Sequence, residues 1–308
     1  MATIYLRRKN EPLEKNYRKT YNGDDLMSKI RTGFLGVPLA LFTTAISAVL
    51  VWGMSLGAPG AGQGDRSSNR AIRFTILYDN YLHKEGTKED WGFSCLIEGT
   101  EKTILFDTGT QPQILMHNLE VLNVDLKMVD QVVISHDHDD HAGGLSAVLE
   151  NNPNVTVFLP VSFPPEFSRR VKNLKAKAKA VDTPLEICRN VYLTGEMGDK
   201  IKEQSLIIDT AKGLVIVTGC SHQGIVNILK RAREIRDKPI YLVFGGFHLG
   251  NKTDAEMQEI LAGFRELKVE KCGATHCTGD AQIEMFKKAF GENYIPMGAG
   301  RIIEVPGF

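Results

Sequence analysis

The chain has little cysteine: five residues in 308, at Cys95, Cys188, Cys220, Cys272 and Cys277, with no CxxC pair among them. So few and so scattered, they exclude a disulfide framework and a zinc knuckle as the source of stability. Only in an exported domain could Cys272 and Cys277 pair, and both flank a histidine motif taken up below. Net charge is absent as well, since 37 Lys and Arg balance 37 Asp and Glu. The balance is uneven along the chain, because residues 1–31 hold eight bases against four acids, which leaves 29 bases against 33 acids for the rest. A mildly acidic body lacks the basic footprint of non-specific nucleic-acid binding, so no nucleic-acid partner is expected. Internal repeats are lacking too, and a 43% apolar composition is enough to bury a substantial core, which excludes disorder as the default.

Charge of either sign vanishes from Thr32 to Gly64, and Phe34 to Leu56 forms an apolar run of 23 residues. That length spans a bilayer as a helix. Lys29 and Arg31 on its N-terminal flank put that end in the cytoplasm by the positive-inside rule, so the body would lie outside. The sequence from Met27 also has the charged start and apolar middle of an export signal, so a membrane anchor and a cleaved leader of a secreted or periplasmic protein are both open, with the anchor favoured. The organisation expected is a basic segment over 1–33, a hydrophobic helix over 34–56, a Gly- and Ser-rich linker over 57–71, and a folded domain over 72–308.

Within the domain, short β-type runs are expected at Phe74–Tyr78, Phe93–Ile97, Thr103–Phe106, Gln131–Ser135 and Val155–Leu159, then at Ser205–Ile208, Leu214–Val217, Ile240–Phe244 and Ile302–Val305. Helices are expected over Gln113–Leu122, from Gly144, over Gly224–Ile235, from the capping box at Thr253 to Leu267, and over Ala281–Phe290. Strands in two groups, each followed by helices, predict an α/β fold of four layers, αββα, with two sheets face to face. The alternating run Leu174–Val181 reads as a solvated basic loop in preference to an amphipathic edge strand.

The strongest chemical signal is Ser135-His136-Asp137-His138-Asp139-Asp140-His141, directly after the strand ending at Ile134 and before Gly143-Gly144. Side chains alternate in an extended exit from a strand, so His136 and His138 point to one side and can reach one metal ion. Asp140 and His141 then enter a turn and can address a second ion. A chance polar loop rarely places three imidazoles and a carboxylate in six positions at a strand end.

This run matches the HxHxDH signature of the metallo-β-lactamase superfamily, and Phe106-Asp107-Thr108-Gly109 is similar to its early FDTG strand end, where the acid buttresses the metal site. Further runs are Tyr78-Asp79-Asn80, Gly92-Phe93-Ser94, Thr218-Gly219-Cys220-Ser221-His222-Gln223-Gly224, Gly245-Gly246-Phe247-His248-Leu249 and His276-Cys277-Thr278-Gly279. Together they resemble the branch named for 7,8-dihydropterin-6-methyl-4-(β-D-ribofuranosyl)aminobenzene-5'-phosphate synthase, over about residues 72–306. The resemblance implies that His136, His138 and His222 bind one ion and Asp140, His141 and His276 a second. The acid that usually bridges the two, in a TGD motif, is replaced by Cys220, which supplies a soft thiolate ligand or is a small buried residue. His248 follows a strand end and can ligate, donate a proton or contact substrate, or is a satisfied structural histidine. His83 and His117 have no partners in sequence and read as surface residues.

Imidazoles with a carboxylate suit zinc, and also manganese or iron. Two such ions would hold a bridging water as hydroxide and stabilise the oxyanion formed on attack at an acyl or phosphoryl centre, with Asp140 orienting the attacking group and His248 the first candidate for general acid. The leading expectation is therefore a metallohydrolase acting on an ester, phosphoester or related small-molecule substrate. A pterin-precursor synthase and a non-catalytic metal sensor or interaction protein are the alternatives. Lactam hydrolysis is disfavoured, because that branch has a different third-ligand loop.

Overall fold

A computed structural model describes residues 71–308. The expected hydrophobic helix over 34–56 lies outside the described residues, and among these no helix is long and apolar enough to cross a membrane.

The chain runs β1 (Ile72–Tyr78), β2 (Ser94–Glu98), β3 (Ile104–Phe106), α1 (Pro112–Val121), β4 (Gln131–Val133), α2 (Asp139–Ala142), α3 (Leu145–Asn151), β5 (Thr156–Pro160), α4 (Pro165–Asn173) and β6 (Lys177–Val181). It continues through β7 (Leu185–Cys188), β8 (Val191–Leu193), β9 (Leu206–Thr210), β10 (Gly213–Thr218), α5 (Ile225–Ile235), β11 (Ile240–Gly246), α6 (Asp254–Glu266), β12 (Lys271–Thr275), α7 (Asp280–Phe290) and β13 (Ile302–Val305). A seven-stranded sheet has the order β13-β1-β2-β3-β4-β5-β6, and a six-stranded sheet the order β12-β11-β10-β9-β8-β7.

Both sheets are mixed and apolar on both faces, and the two-residue period of a strand sorts their side chains into three cores. Ile72, Phe74 and Ile76 of β1, Ile104 and Phe106 of β3, Leu206 and Ile208 of β9, and Val215 and Val217 of β10 fill the space between the sheets. Their neighbours point the other way. Leu77 and Leu105 pack under α1, α3 and α4 on the outside of the first sheet, while Ile207, Leu214 and Ile216 pack under α5, α6 and α7 on the outside of the second. Across the middle layer Phe74 meets Phe244 edge to face at 5.3 Å. The result is the four-layer αββα sandwich.

The structure corrects the reading of Leu174–Val181 as a loop. Residues Lys177–Val181 form β6, paired in parallel with β5 at the edge of the first sheet. Ala178 packs on the outer core and Val181 on the inner one, which holds the strand while Lys177 and Lys179 stay in water. Lysines on an exposed strand also keep an open edge from recruiting another chain. Helix α4 and strands β7, β8 and β12 are additions to the expected elements.

What matters for function is direction. Strands β3, β4, β5 and β6 run parallel to one another, as do β10, β11 and β12. The C-terminal ends of such strands are where an open α/β sheet presents its loops for chemistry. The motif residues Asp107, His136, His222, His248 and His276 all follow the ends of strands in these two sets.

Candidate metal centre

Each expected ligand is set at a strand end by a short, tightly specified turn. His136 lies in the bend that follows β4, and His138 is the N-cap of α2, which carries Asp140 and His141 in its single turn. Packing that turn against the loop after β3 requires Gly143, because a Cβ there would collide with the Thr110 carbonyl. His222 follows β10 through Gly219, where a Cβ would strike the Ser135 hydroxyl. His248 and His276 follow β11 and β12.

Among the described residues three groups of donor atoms result, each with its members within 4.8 Å of one another: His136, His138 and His222; Asp140, His141, Cys220 and His276; and Cys220, His222 and His248. All seven residues expected to ligate, and His248 as well, are thus brought together. Ring centroids lie 4.8 Å apart for His136 and His222, 5.0 Å for His138 and His222, and 5.0 Å for His141 and His276. Cys220 belongs to the second group and also reaches His222 of the first. Its thiol lies 3.2 Å from Nε2 of His141, and burial, reinforced by the neighbouring Cys277, pushes its pKa well up in the metal-free protein.

The Nδ1 atoms of four rings are engaged from behind. Nδ1 of His141 meets Oδ2 of Asp107 at 2.7 Å, Nδ1 of His136 meets the Ser135 hydroxyl at 2.8 Å, and that hydroxyl donates to the same Oδ2 at 2.8 Å. Asp107, fully buried, therefore orients one imidazole in each of two groups. Asn80 holds a third ring, its Oδ1 accepting from Nδ1 of His276 at 2.9 Å and from the Gly92 amide at 3.1 Å.

Behind the fourth ring, that of His222, stands a carboxylate that sequence reading misses. Glu203, completely buried, accepts the Cys220 and Ser221 amides on Oε1 at 2.8 and 2.9 Å, and on Oε2 the His222 amide at 3.0 Å and its Nδ1 at 3.1 Å. A lone Glu, 17 to 19 positions from the residues it binds, carries no motif. Trp91 escapes sequence reading too. Its indole N–H donates to Oδ2 of Asp140 at 2.8 Å, and its ring lies 5.0 Å from that of His276.

Electrostatics divides the groups. Burial, aided by the charge of His141, depresses His136 far below the usual histidine range, and burial with the nearby His222 depresses His138. Both are neutral at pH 7. Burial works against the Asp140 carboxylate, but His141 and His276 beside it outweigh that and hold it well below the usual range. Glu203 is held down in the same way, by His222 and His136 against burial. For His141, burial is overcome by Asp140 and Asp107, which raise it to about 9.

The residues fit a pair of divalent cations. Nε2 of His276 is buried without a hydrogen-bond partner among the described residues, 3.3 Å from Oδ2 of Asp140. A buried imidazole nitrogen left unbonded beside a carboxylate, among imidazoles already tethered through their other nitrogens, is the arrangement of a metal ligand. His83 is exposed, and His117, half-buried on α1, bonds to the Gly86 carbonyl at 2.9 Å, so neither contributes.

Comparison with known proteins identifies the family. A model of the metallo-beta-lactamase superfamily matches residues 92–224. The 7,8-dihydropterin-6-methyl-4-(beta-D-ribofuranosyl)-aminobenzene-5'-phosphate synthase of Methanocaldococcus jannaschii is 31% identical over 280 residues, covering 75% of this chain and 95% of that one. An uncharacterized protein of the same organism is 27% identical over 75% of this chain and 99% of its own. A crystal structure of a metal-dependent hydrolase of the beta-lactamase superfamily superposes with a TM-score of 0.65 at 30% identity, covering 76% of this chain and 99% of that one. With the fold, the donor groups and a relative of this identity and coverage in agreement, the chain belongs to the metallo-β-lactamase superfamily.

Proposed function

We propose that the chain is a metal-dependent hydrolase that holds two divalent ions, zinc by preference, and acts on an ester, phosphoester or related small substrate. The observation that carries this reading is the convergence of two donor groups joined through Cys220. In it, His136, His138 and His222 hold one ion and Asp140, His141 and His276 the other, with Cys220 standing where the superfamily's bridging acid would be. A thiolate among imidazoles favours zinc over manganese. Bound ions would supply Lewis acidity and a water of lowered pKa.

The protein's own groups then have separable tasks. His136 and His138 carry no added proton at neutral pH, so each keeps a lone pair to offer. Asp140 stays ionised, and with Oδ2 engaged by Trp91 its other oxygen is available to orient a water molecule. His248, exposed with its ring 4.5 Å from that of His222, would give a proton to a departing oxygen.

Metal content by plasma mass spectrometry, on the reconstituted protein and on His138→Ala, tests this. About two equivalents per chain, falling clearly in the variant, are expected, with cleavage of activated esters or phosphoesters above free metal. Metal-free protein after reconstitution, or a variant that retains its full metal content, refutes the reading. A second reading, a pterin-precursor synthase, is favoured by the name of the 31% identical relative. Turnover of the phosphorylated pterin precursor without cleavage of any model ester would select it.

A further inference from the structure

Trp91 sits in the long connection between β1 and β2 and is 49% exposed, although it is the largest apolar side chain at the rim of the site. Exposure here is not looseness. The indole N–H is fixed on Asp140, one side of the ring lies against His276, and the Trp91 carbonyl accepts the Thr110 hydroxyl. The next two residues are pinned as well, the Gly92 amide on Asn80 at 3.1 Å and the Phe93 amide on the Asp140 carbonyl at 3.2 Å. Gly92 is required at φ 148°, since a Cβ there would come within 2.7 Å of the Asp140 carbonyl oxygen. The fold therefore commits a glycine and several hydrogen bonds to holding an indole beside two donors of the second group while leaving much of it in water. Folding gains nothing from that exposure, and an immobilised aromatic face is a preorganised surface for a ligand.

We propose that Trp91 is a substrate-positioning residue whose exposed indole takes a planar, unsaturated ring carried by the substrate next to the reacting bond. The proposal rests on the hydrolytic reading and narrows it to aryl or heteroaryl substrates. Two features of the indole are separable: its face, which would contact the ring, and its N–H, which holds Asp140.

The test uses the full chain loaded with zinc, two non-hydrolysable probes, phenylphosphonate and methylphosphonate, and titration calorimetry as a readout independent of turnover. Trp91→Phe keeps a face and loses the N–H; Trp91→Gln keeps an N–H donor and loses the face. Wild type is expected to bind phenylphosphonate roughly tenfold more tightly than methylphosphonate. The Phe variant should keep most of that preference and the Gln variant should lose it, with metal content checked in each. Equal affinity of the two probes for the wild type, or a preference that W91Q retains, overturns the aromatic subsite and leaves the hydrolytic reading standing. Failure of both probes to bind protein that carries its metals overturns both.

Discussion

Replacing Glu203 with Gln changes one atom, yet the structure predicts a large effect. Four donors converge on the carboxylate, two on each oxygen. A carboxamide presents one oxygen and one NH2, so whichever way it turns, two buried donors face another donor. If the NH2 replaces Oε1, the Cys220 and Ser221 amides are orphaned; if it replaces Oε2, the His222 amide and ring lose their acceptor. An unsatisfied buried donor costs about 1–3 kcal/mol, so the pair amounts to roughly 2–6 kcal/mol. Against a typical domain stability of about 5–15 kcal/mol, that is a large fraction and lowers the urea midpoint clearly. One orientation strips the His222 ring of its acceptor and the other unpins the turn that carries it, so affinity at the group of His136, His138 and His222 should fall by about 10- to 100-fold, as for other partners behind a ligand. Urea denaturation of the metal-free protein and competition with a chelator measure the two effects. An E203Q protein with wild-type midpoint and wild-type metal affinity would refute the assignment of Glu203 as the anchor of the Cys220–His222 turn.

Asp107→Asn should weaken metal binding in both donor groups together, since one oxygen orients His141 directly and His136 through Ser135; loss from one group only, by metal analysis at limiting chelator, would show that the Ser135 link is idle. The metal-free protein should lose stability as pH rises from 6.5 to beyond 9. His141 has its pKa raised from the ordinary 6.5 to about 9, so its contribution is fully present below the unfolded value and disappears as pH climbs through the folded one. Metal affinity should rise over the same window, because binding no longer has to expel that proton. Thermal melts with and without chelator across this range check both signs, and a metal-free melting temperature that rises from pH 6.5 to 9 contradicts the assignment.

How much is legible in the sequence follows from which forces are local. The HxHxDH run is readable because strand alternation and a one-turn helix fix its geometry within seven residues, and the apolar runs of β1, β9 and β10 declare strands buried on both faces. Strand β6 defeats such reading, since its Lys-Ala alternation is stabilised only by pairing to β5 and by two small side chains reaching two different cores. Glu203 and Trp91 are invisible for the same kind of reason. Glu203 acts on residues 17 to 19 positions away and Trp91 on one 49 positions away, through contacts that no local pattern encodes.

The backbone explains why the turns themselves have to be seen. Asp107, Ser221, His248 and His276 all adopt φ between 51° and 66°, a conformation costing a non-glycine residue about 1–3 kcal/mol. Nothing in their side chains announces it, and each lies just beyond a strand. At Ser221 the consequence can be followed atom by atom. The left-handed turn lets the successive amides of residues 220, 221 and 222 converge on one point, a concavity that elsewhere captures anions. Here the protein fills that concavity with its own Glu203, so the turn that carries Cys220 and His222 is closed by an internal carboxylate. The strain at Ser221 is thereby offset by charge-assisted hydrogen bonds, and the donor of the thiol and the donor of the imidazole are delivered to the site as one rigid unit.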